Sequence, residues 1–90
     1  MRILCIEDEH RIADSIKKGL EQEKFAVDVA YDGQIGFDLA STEQYDVILL
    51  DRMLPHMDGM EICSKLRALH IYTPILMLTA KIQTQDKVDG

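Results

Sequence analysis

The segment Val47-Ile48-Leu49-Leu50-Asp51-Arg52-Met53-Leu54-Pro55 restricts the fold more than any other stretch of this 90-residue chain. Four apolar residues run without polar interruption into a single carboxylate. A segment with no polar face to offer water predicts a central strand of a parallel sheet, covered on both sides. Asp51 then falls at the C-terminal end of that strand, the edge where ligands and chemistry sit in open α/β sheets. Pro55 cannot extend a strand ladder, and Asp58-Gly59 signals a turn before a helix. A lone strand-end Asp is ordinarily only a solvated carboxylate. A working role for Asp51 therefore needs support from the rest of the chain.

Apolar and polar periods alternate along the sequence. Residues 2–7 predict a short buried strand, and residues 10–23 a helix whose apolar stripe is Ile12, Ile16 and Leu20. Residues 25–29 predict an edge strand. Asp32-Gly33 opens a second helix running to about Ser41, with Ile35/Leu39 and Gly36/Phe37/Ala40 competing for its inner face. Gly36 costs that helix about 1 kcal/mol relative to Ala unless close packing requires it. Residues 46–51 form the third strand. Asp58, with Glu61 three residues on, resembles a capping box for a third helix that buries Ile62, Cys63, Leu66 and Leu69. Thr73-Pro74 breaks the chain before Ile75-Leu76-Met77-Leu78, a strand apolar on both faces that leads into Thr79-Ala80-Lys81. Residues 83–90 are polar and could begin a fourth helix. The order βαβαβαβ implies one α/β domain over residues 1–90, a doubly wound parallel sheet with right-handed crossovers.

Charge narrows the function. A net charge of -6 and a pI near 4.8 give this stretch no electrostatic reason to bind nucleic acid or an anionic membrane. Met1-Arg2 leads directly into Ile3-Leu4-Cys5-Ile6, too short a run for a signal peptide or a membrane span. Cys5 and Cys63 lie among apolar residues without metal or disulfide spacing, as in a cytoplasmic protein. His10, His56 and His70 lack ligand spacing, and Met53, Met57, Met60 and Met77 read as packing residues.

Three predicted strands end in candidate chemistry: Glu7-Asp8, Asp51 and Thr79. A doubly wound sheet brings these ends to one edge. Gathering the acids there costs repulsion, which a hard cation such as Mg²⁺ offsets. The plainer alternative is that Glu7-Asp8-Glu9 only starts a helix, where acids suit the dipole. Mg²⁺ beside an accessible carboxylate suits phosphoryl transfer, in which the carboxylate attacks phosphorus and an acyl phosphate forms. A hydroxyl from Thr79 could reach a phosphoryl oxygen, and the small Ala80 leaves room for the group.

Glu7-Asp8, the run Asp51-Arg52-Met53-Leu54-Pro55-His56-Met57-Asp58-Gly59 and the late Thr79-Ala80-Lys81 together resemble the receiver domain of two-component response regulators. The resemblance implies a flavodoxin-like sheet of order 2-1-3-4. It implies Asp51 as phosphoacceptor, and Mg²⁺ held by Asp8, Asp51 and the Met53 backbone carbonyl, with Glu7 acting through water. Thr79 and Ala80 take the switch and phosphoryl-binding positions. The implied phosphodonor is a sensor histidine kinase, and the domain is a signalling receiver and not a turnover enzyme. The Met-Leu-Pro wording is most similar to transcription regulators carrying a winged-helix DNA-binding domain. The family's fifth strand, with its Lys, and its fifth helix do not fall within these residues, and Lys81 does not occupy that Lys position. The expectation is therefore an exposed edge at residues 75–78, pairing as a homodimer, exchanging elements between copies or fraying beyond about Thr73, and weakened phosphorylation. Alternatives are a folded interaction fragment, a Mg²⁺-dependent Asp-nucleophile hydrolase of the haloacid dehalogenase type, and a nucleotide or flavin binder. The hydrolases resemble D-x-D at the nucleophile, where this chain has Met53, and no G-x-G-x-x-G follows the first strand.

Overall fold

The computed structural model describes residues 1–78, so Thr79, Ala80, Lys81 and the predicted start of a fourth helix lie outside the described residues. In chain order the elements are β1 (Arg2–Ile6), α1 (His10–Gln22), β2 (Ala26–Ala30), α2 (Gly33–Thr42), β3 (Val47–Asp51), α3 (Gly59–Ala68) and β4 (Ile75–Leu78). The strands form one parallel sheet of order β2-β1-β3-β4: the parallel, doubly wound sheet is what the alternation predicts, and the flavodoxin-like order is the one the resemblance implies. Among the described residues no helix is long and apolar enough to cross a membrane.

Strand periodicity sends Leu4 and Ile6 of β1 and Ile48 and Leu50 of β3 to one face, where they meet Ile62 and Leu66 of α3. All six are fully buried. Removing each such side chain from water contributes roughly 1.5–3 kcal/mol, so this layer is the main source of stability. The opposite face is less covered than the sequence predicts. Val47 and Leu49 are only half-buried, and Leu76 of β4 is 60% exposed, so neither strand is sealed on both sides among the described residues. Among the described residues α1 packs chiefly over β2 and β1. Its predicted stripe is correspondingly displaced. Ile12 is exposed, Ile16 and Leu20 are half-buried, and the small Ala13 is the fully buried residue.

The open question of the α2 face is settled by close packing. Gly33, Gly36 and Ala40 turn inward with Phe37 beside the core, and Ile35 is exposed. A Cβ on Gly36 would lie 2.6 Å from Ile6 Cδ1, so the glycine brings the helix against the sheet. In α3, Leu69 is the C-cap and is exposed, and Cys63 is half-buried, so the predicted inner face reduces to Ile62 and Leu66. Asp58 does cap α3, accepting from the Met60 amide at 2.9 Å. The reciprocal half of a capping box is not made: Glu61 turns to Lys65 at 3.7 Å.

Two helices end in the same way without glycine. Phe25 donates to the Leu20 carbonyl and Lys24 to Glu21, with Lys24 at φ 72°. Ile71 donates to Leu66 and His70 to Arg67, with His70 at φ 61°. Both are Schellman closures whose left-handed residue is usually Gly. The first closure uses Phe25, which moves the start of β2 one residue beyond the predicted boundary.

Two glycine exchanges should therefore move stability in opposite directions. Lys24→Gly relieves a left-handed side chain and raises stability by up to about 1 kcal/mol. Gly36→Ala overpacks the contact with Ile6 and costs about 1–3 kcal/mol. Urea unfolding of the two variants beside the parent checks both signs.

Candidate functional site

In the parallel register Ile6 lies opposite Leu50, so Glu7 and Asp51 leave the two central strands side by side. The Glu7 amide donates to Ala30 at 3.0 Å, which fixes the chain as it turns away from β2. Asp8 follows at the start of the loop into α1. The carboxylate oxygens of Glu7, Asp8 and Asp51 lie within 4.8 Å of one another. Glu7 is only 5% exposed, and Asp8 and Asp51 are half-buried.

Two of the three acids are oriented by backbone amides. Glu7 Oε2 accepts from the Glu9 amide at 2.9 Å and faces inward. Asp51 Oδ1 accepts from the Met53 amide at 3.1 Å, which orients the carboxylate from its own loop. Burial pushes the Glu7 carboxyl up to about 7, and the neighbouring Asp51 charge adds to the rise; the Glu9 amide opposes it. Behind the acids, the Cys5 thiol is pushed up to about 11, by burial first and then by the charges of Glu7 and Asp51, so it stays a thiol. No Lys or Arg pairs with the three acids among the described residues. Three crowded oxygen donors without a protein cation are a donor set that fits a hard divalent ion such as Mg²⁺, and not a soft metal.

The loop from Asp51 to α3 turns back on its own start. Met57 donates to the Pro55 carbonyl at 2.8 Å across His56, which sits at φ 68° in a strained γ-turn. Asp58 caps α3, and the Gly59 amide donates to the Arg52 carbonyl at 3.0 Å. Gly59 is buried, and a Cβ there would meet the Asp51 carbonyl oxygen at 2.8 Å and Arg52 Cα at 2.9 Å. On the opposite flank, His10 stacks on Tyr31 with ring centroids 3.8 Å apart, and the Tyr31 hydroxyl donates to Asp14 at 2.7 Å.

The structure thus brings together Glu7, Asp8 and Asp51 as the sequence predicts, with the Met53 backbone adjoining Asp51. Thr79 and Ala80 fall outside the described residues. The reading of all four methionines as packing residues needs correction: Met57 and Met77 pack against the core, but Met53 and Met60 are exposed because the loop and the first turn of α3 face solvent. His56 is exposed as expected. Sequence reasoning missed the contact of Gly59 with Asp51 and the His10–Tyr31 stack. The first had a signal, a glycine at the opening position of a helix; the second joins distant residues and had none. A cavity of about 440 Å³ opens at the other edge of the sheet, around Tyr45, Asp46 and Thr73, away from the acids.

A parallel α/β sheet with an acidic cluster at its carboxyl edge defines a doubly wound domain with a candidate cation site where such sheets bind their ligands. The response regulator receiver domain model matches residues 3–90. The chain is 47% identical over 89 residues to response regulator ArlR of Staphylococcus saprophyticus, covering 99% of this chain and 40% of that protein. It is 44% identical over 90 residues to transcriptional regulatory protein DltR of Streptococcus agalactiae, again 40% of its length. A solved receiver domain of a sensor histidine kinase from Pseudomonas aeruginosa, with a magnesium ion coordinated in its active-site cleft, superposes with a TM-score of 0.83 at 32% identity, covering 88% of this chain and 66% of that one. The chain belongs to the receiver-domain family of two-component response regulators. It spans about 40% of the length of the curated relatives named here.

The raised Glu7 carboxyl sets a pH dependence for the metal-free protein. From about 4.5, the value of an ordinary Glu, to about 7, the native state binds a proton that the unfolded chain releases. This contribution is full at the acid end and is lost as pH rises through 7. Urea midpoints measured in chelator should fall across that window, and Glu7→Gln should flatten the fall and be the more stable form at pH 8.

Proposed function

We propose that this chain is a phosphoacceptor: Asp51 takes a phosphoryl group from the phosphohistidine of a sensor histidine kinase. The observation that carries this reading is the convergence of Glu7, Asp8 and half-exposed Asp51 within 4.8 Å at the carboxyl edge of the sheet. Asp8, Asp51 and the Met53 backbone carbonyl are the ligands proposed for Mg²⁺, with Glu7 acting through water. When bound, Mg²⁺ supplies neutralisation of the charge that builds on the phosphoryl oxygens. A relative solved with magnesium in its cleft supports that assignment.

The chain's own groups do the rest. The Met53 amide holds Asp51 Oδ1 at 3.1 Å, which leaves Oδ2 as the attacking oxygen. An O–P bond forms on Asp51 as the N–P bond of the donor breaks, and the released imidazole nitrogen takes a proton. Glu7 is buried and does not attack. Thr79 and Ala80 are proposed to receive the phosphoryl oxygens, through the hydroxyl and through the space a small residue leaves. The domain catalyses its own modification and does not turn over a substrate. Residues 1–90 are read as the part of a receiver domain that carries the acidic site, and the output as transcription control by an attached DNA-binding domain, in keeping with the transcriptional regulatory relative from Streptococcus agalactiae.

Incubation with Mg²⁺ and a small acyl phosphate, followed by borohydride trapping and mass spectrometry, should place the label on Asp51. Label elsewhere, or equal labelling of Asp51→Asn, sinks the proposal. Asp8→Ala should lose the Mg²⁺-dependent rise in Tm that the parent shows. In chelator the same variant should melt above the parent, because one of three crowded charges is gone. A variant that keeps the Mg²⁺ response removes Asp8 from the ligand set.

A further inference from the structure

We infer that Gly59 is a positioning residue for the phosphoryl-accepting carboxylate, an assignment that rests on the function proposed for Asp51. The first turn of α3 does not merely follow the loop; it lies directly on the backbone that carries Asp51. A Cβ at position 59 would stand 2.8 Å from the Asp51 carbonyl oxygen, 2.9 Å from Arg52 Cα and 3.4 Å from the Arg52 amide nitrogen. All three are main-chain atoms, and none is the end of a flexible side chain. The Gly59 amide also donates to the Arg52 carbonyl at 3.0 Å, so the contact is both steric and hydrogen-bonded.

The neighbouring bonds leave this backbone little room to yield. Arg52 donates to the Leu78 carbonyl at 3.2 Å on the other side, and Asp58 fixes the helix start through Met60 at 2.9 Å. The Asp51–Arg52 peptide is therefore held between β4 and the N-terminus of α3. A side chain at position 59 must push that peptide, and with it the Asp51 carboxylate relative to Glu7 and Asp8. Gly36 offers the natural contrast. A Cβ there meets Ile6 Cδ1, Cγ1 and Cγ2 at 2.6–2.7 Å, equally close, but these atoms belong to a buried core side chain and not to the peptide that carries Asp51.

The test compares Gly59→Ala with Gly36→Ala in the full chain. Mg²⁺ affinity is read by calorimetry and by the amide shifts of Arg52 and Met53, and Asp51 labelling is read with a small acyl phosphate. Gly59→Ala should weaken Mg²⁺ binding several-fold and slow labelling by about tenfold to a hundredfold, the range that a sub-ångström to ångström misplacement produces. Gly36→Ala should lose stability and keep both within about twofold of the parent. Parent-like behaviour of Gly59→Ala, or equal losses in the two variants, overturns the assignment. If Gly59→Ala does not fold, the caps decide. Asp58→Ala and Asp32→Ala remove the same kind of cap, from the helix that abuts Asp51 and from one that does not. Weaker Mg²⁺ binding in Asp58→Ala alone, restored in Asp58→Asn, supports the role; equal effects of the two cap deletions overturn it. The metal titration is independent of phosphoryl transfer. A parent that binds Mg²⁺ and takes no label therefore sinks the proposed function, while the affinities still judge Gly59.

Discussion

The parallel pairing of β1 with β3 is the constraint on which the rest of this structure depends. It sets Leu4 and Ile6 beside Ile48 and Leu50, and these four supply the floor on which α2 and α3 pack. The same register fixes where the apolar runs stop. Because Ile6 is opposite Leu50, the first polar residue after each strand arrives at the same height, and both are acids. Core formation and charge crowding are therefore one event. The sheet cannot gain its hydrophobic layer without bringing Glu7 and Asp51 together, and the burial of several large side chains outweighs the repulsion.

The two edges of the sheet handle charge in opposite ways. At the N-terminal edge, Arg2 Nη2 sits 3.1 Å from Asp28 and 3.4 Å from Glu43, and its guanidinium lies 4.8 Å over the Tyr45 ring. The Tyr45 hydroxyl donates to the same Asp28 at 2.7 Å, and the Arg2 amide to Asp46 at 2.7 Å. The Tyr45 hydrogen bond, followed by Arg2, holds the Asp28 carboxyl below its ordinary value. Every acid named there has a donor. At the carboxyl edge Glu7 is pushed the other way, and no basic side chain compensates it among the described residues. Polar satisfaction at one end and frustration at the other is the pattern expected when local consistency is given up only where function needs it.

Legibility in the sequence followed the range of each interaction. Strand positions and site composition were readable because an apolar run ending in an acid carries its own information about burial and about the edge on which it ends; the strand order came only with the resemblance. Residues 47–51 and 2–7 are of this kind. The inner face of α2 was not readable, since Ile35 and Gly36 offer competing patterns and only the fit against Ile6 decides between them. The α1 stripe was misread for a related reason: spacing gives a helix an apolar face but does not say how wide the sheet beneath it is. Lys24 and His70 gave no helix-end signal, because the residue type usual at a left-handed closure is Gly. The Thr79 and Ala80 assignments lie beyond the residues that the structure describes.

The loop after Asp51 shows how a nominally irregular segment can be as constrained as the core. Of the three non-glycine residues at positive φ among the described residues, Lys24 and His70 close helices through paired hydrogen bonds. His56 closes none. It lies at the centre of a γ-turn spanned by the 2.8 Å bond from Met57 to Pro55, a conformation that side chains adopt at a cost. That turn reverses the chain between Leu54, which is anchored in the core, and Asp58, which caps α3. The reversal brings Gly59 back onto the peptide the loop left from. Strain at His56 and crowding at Gly59 are two ends of one short closed path, and the carboxylate of Asp51 projects from its point of closure.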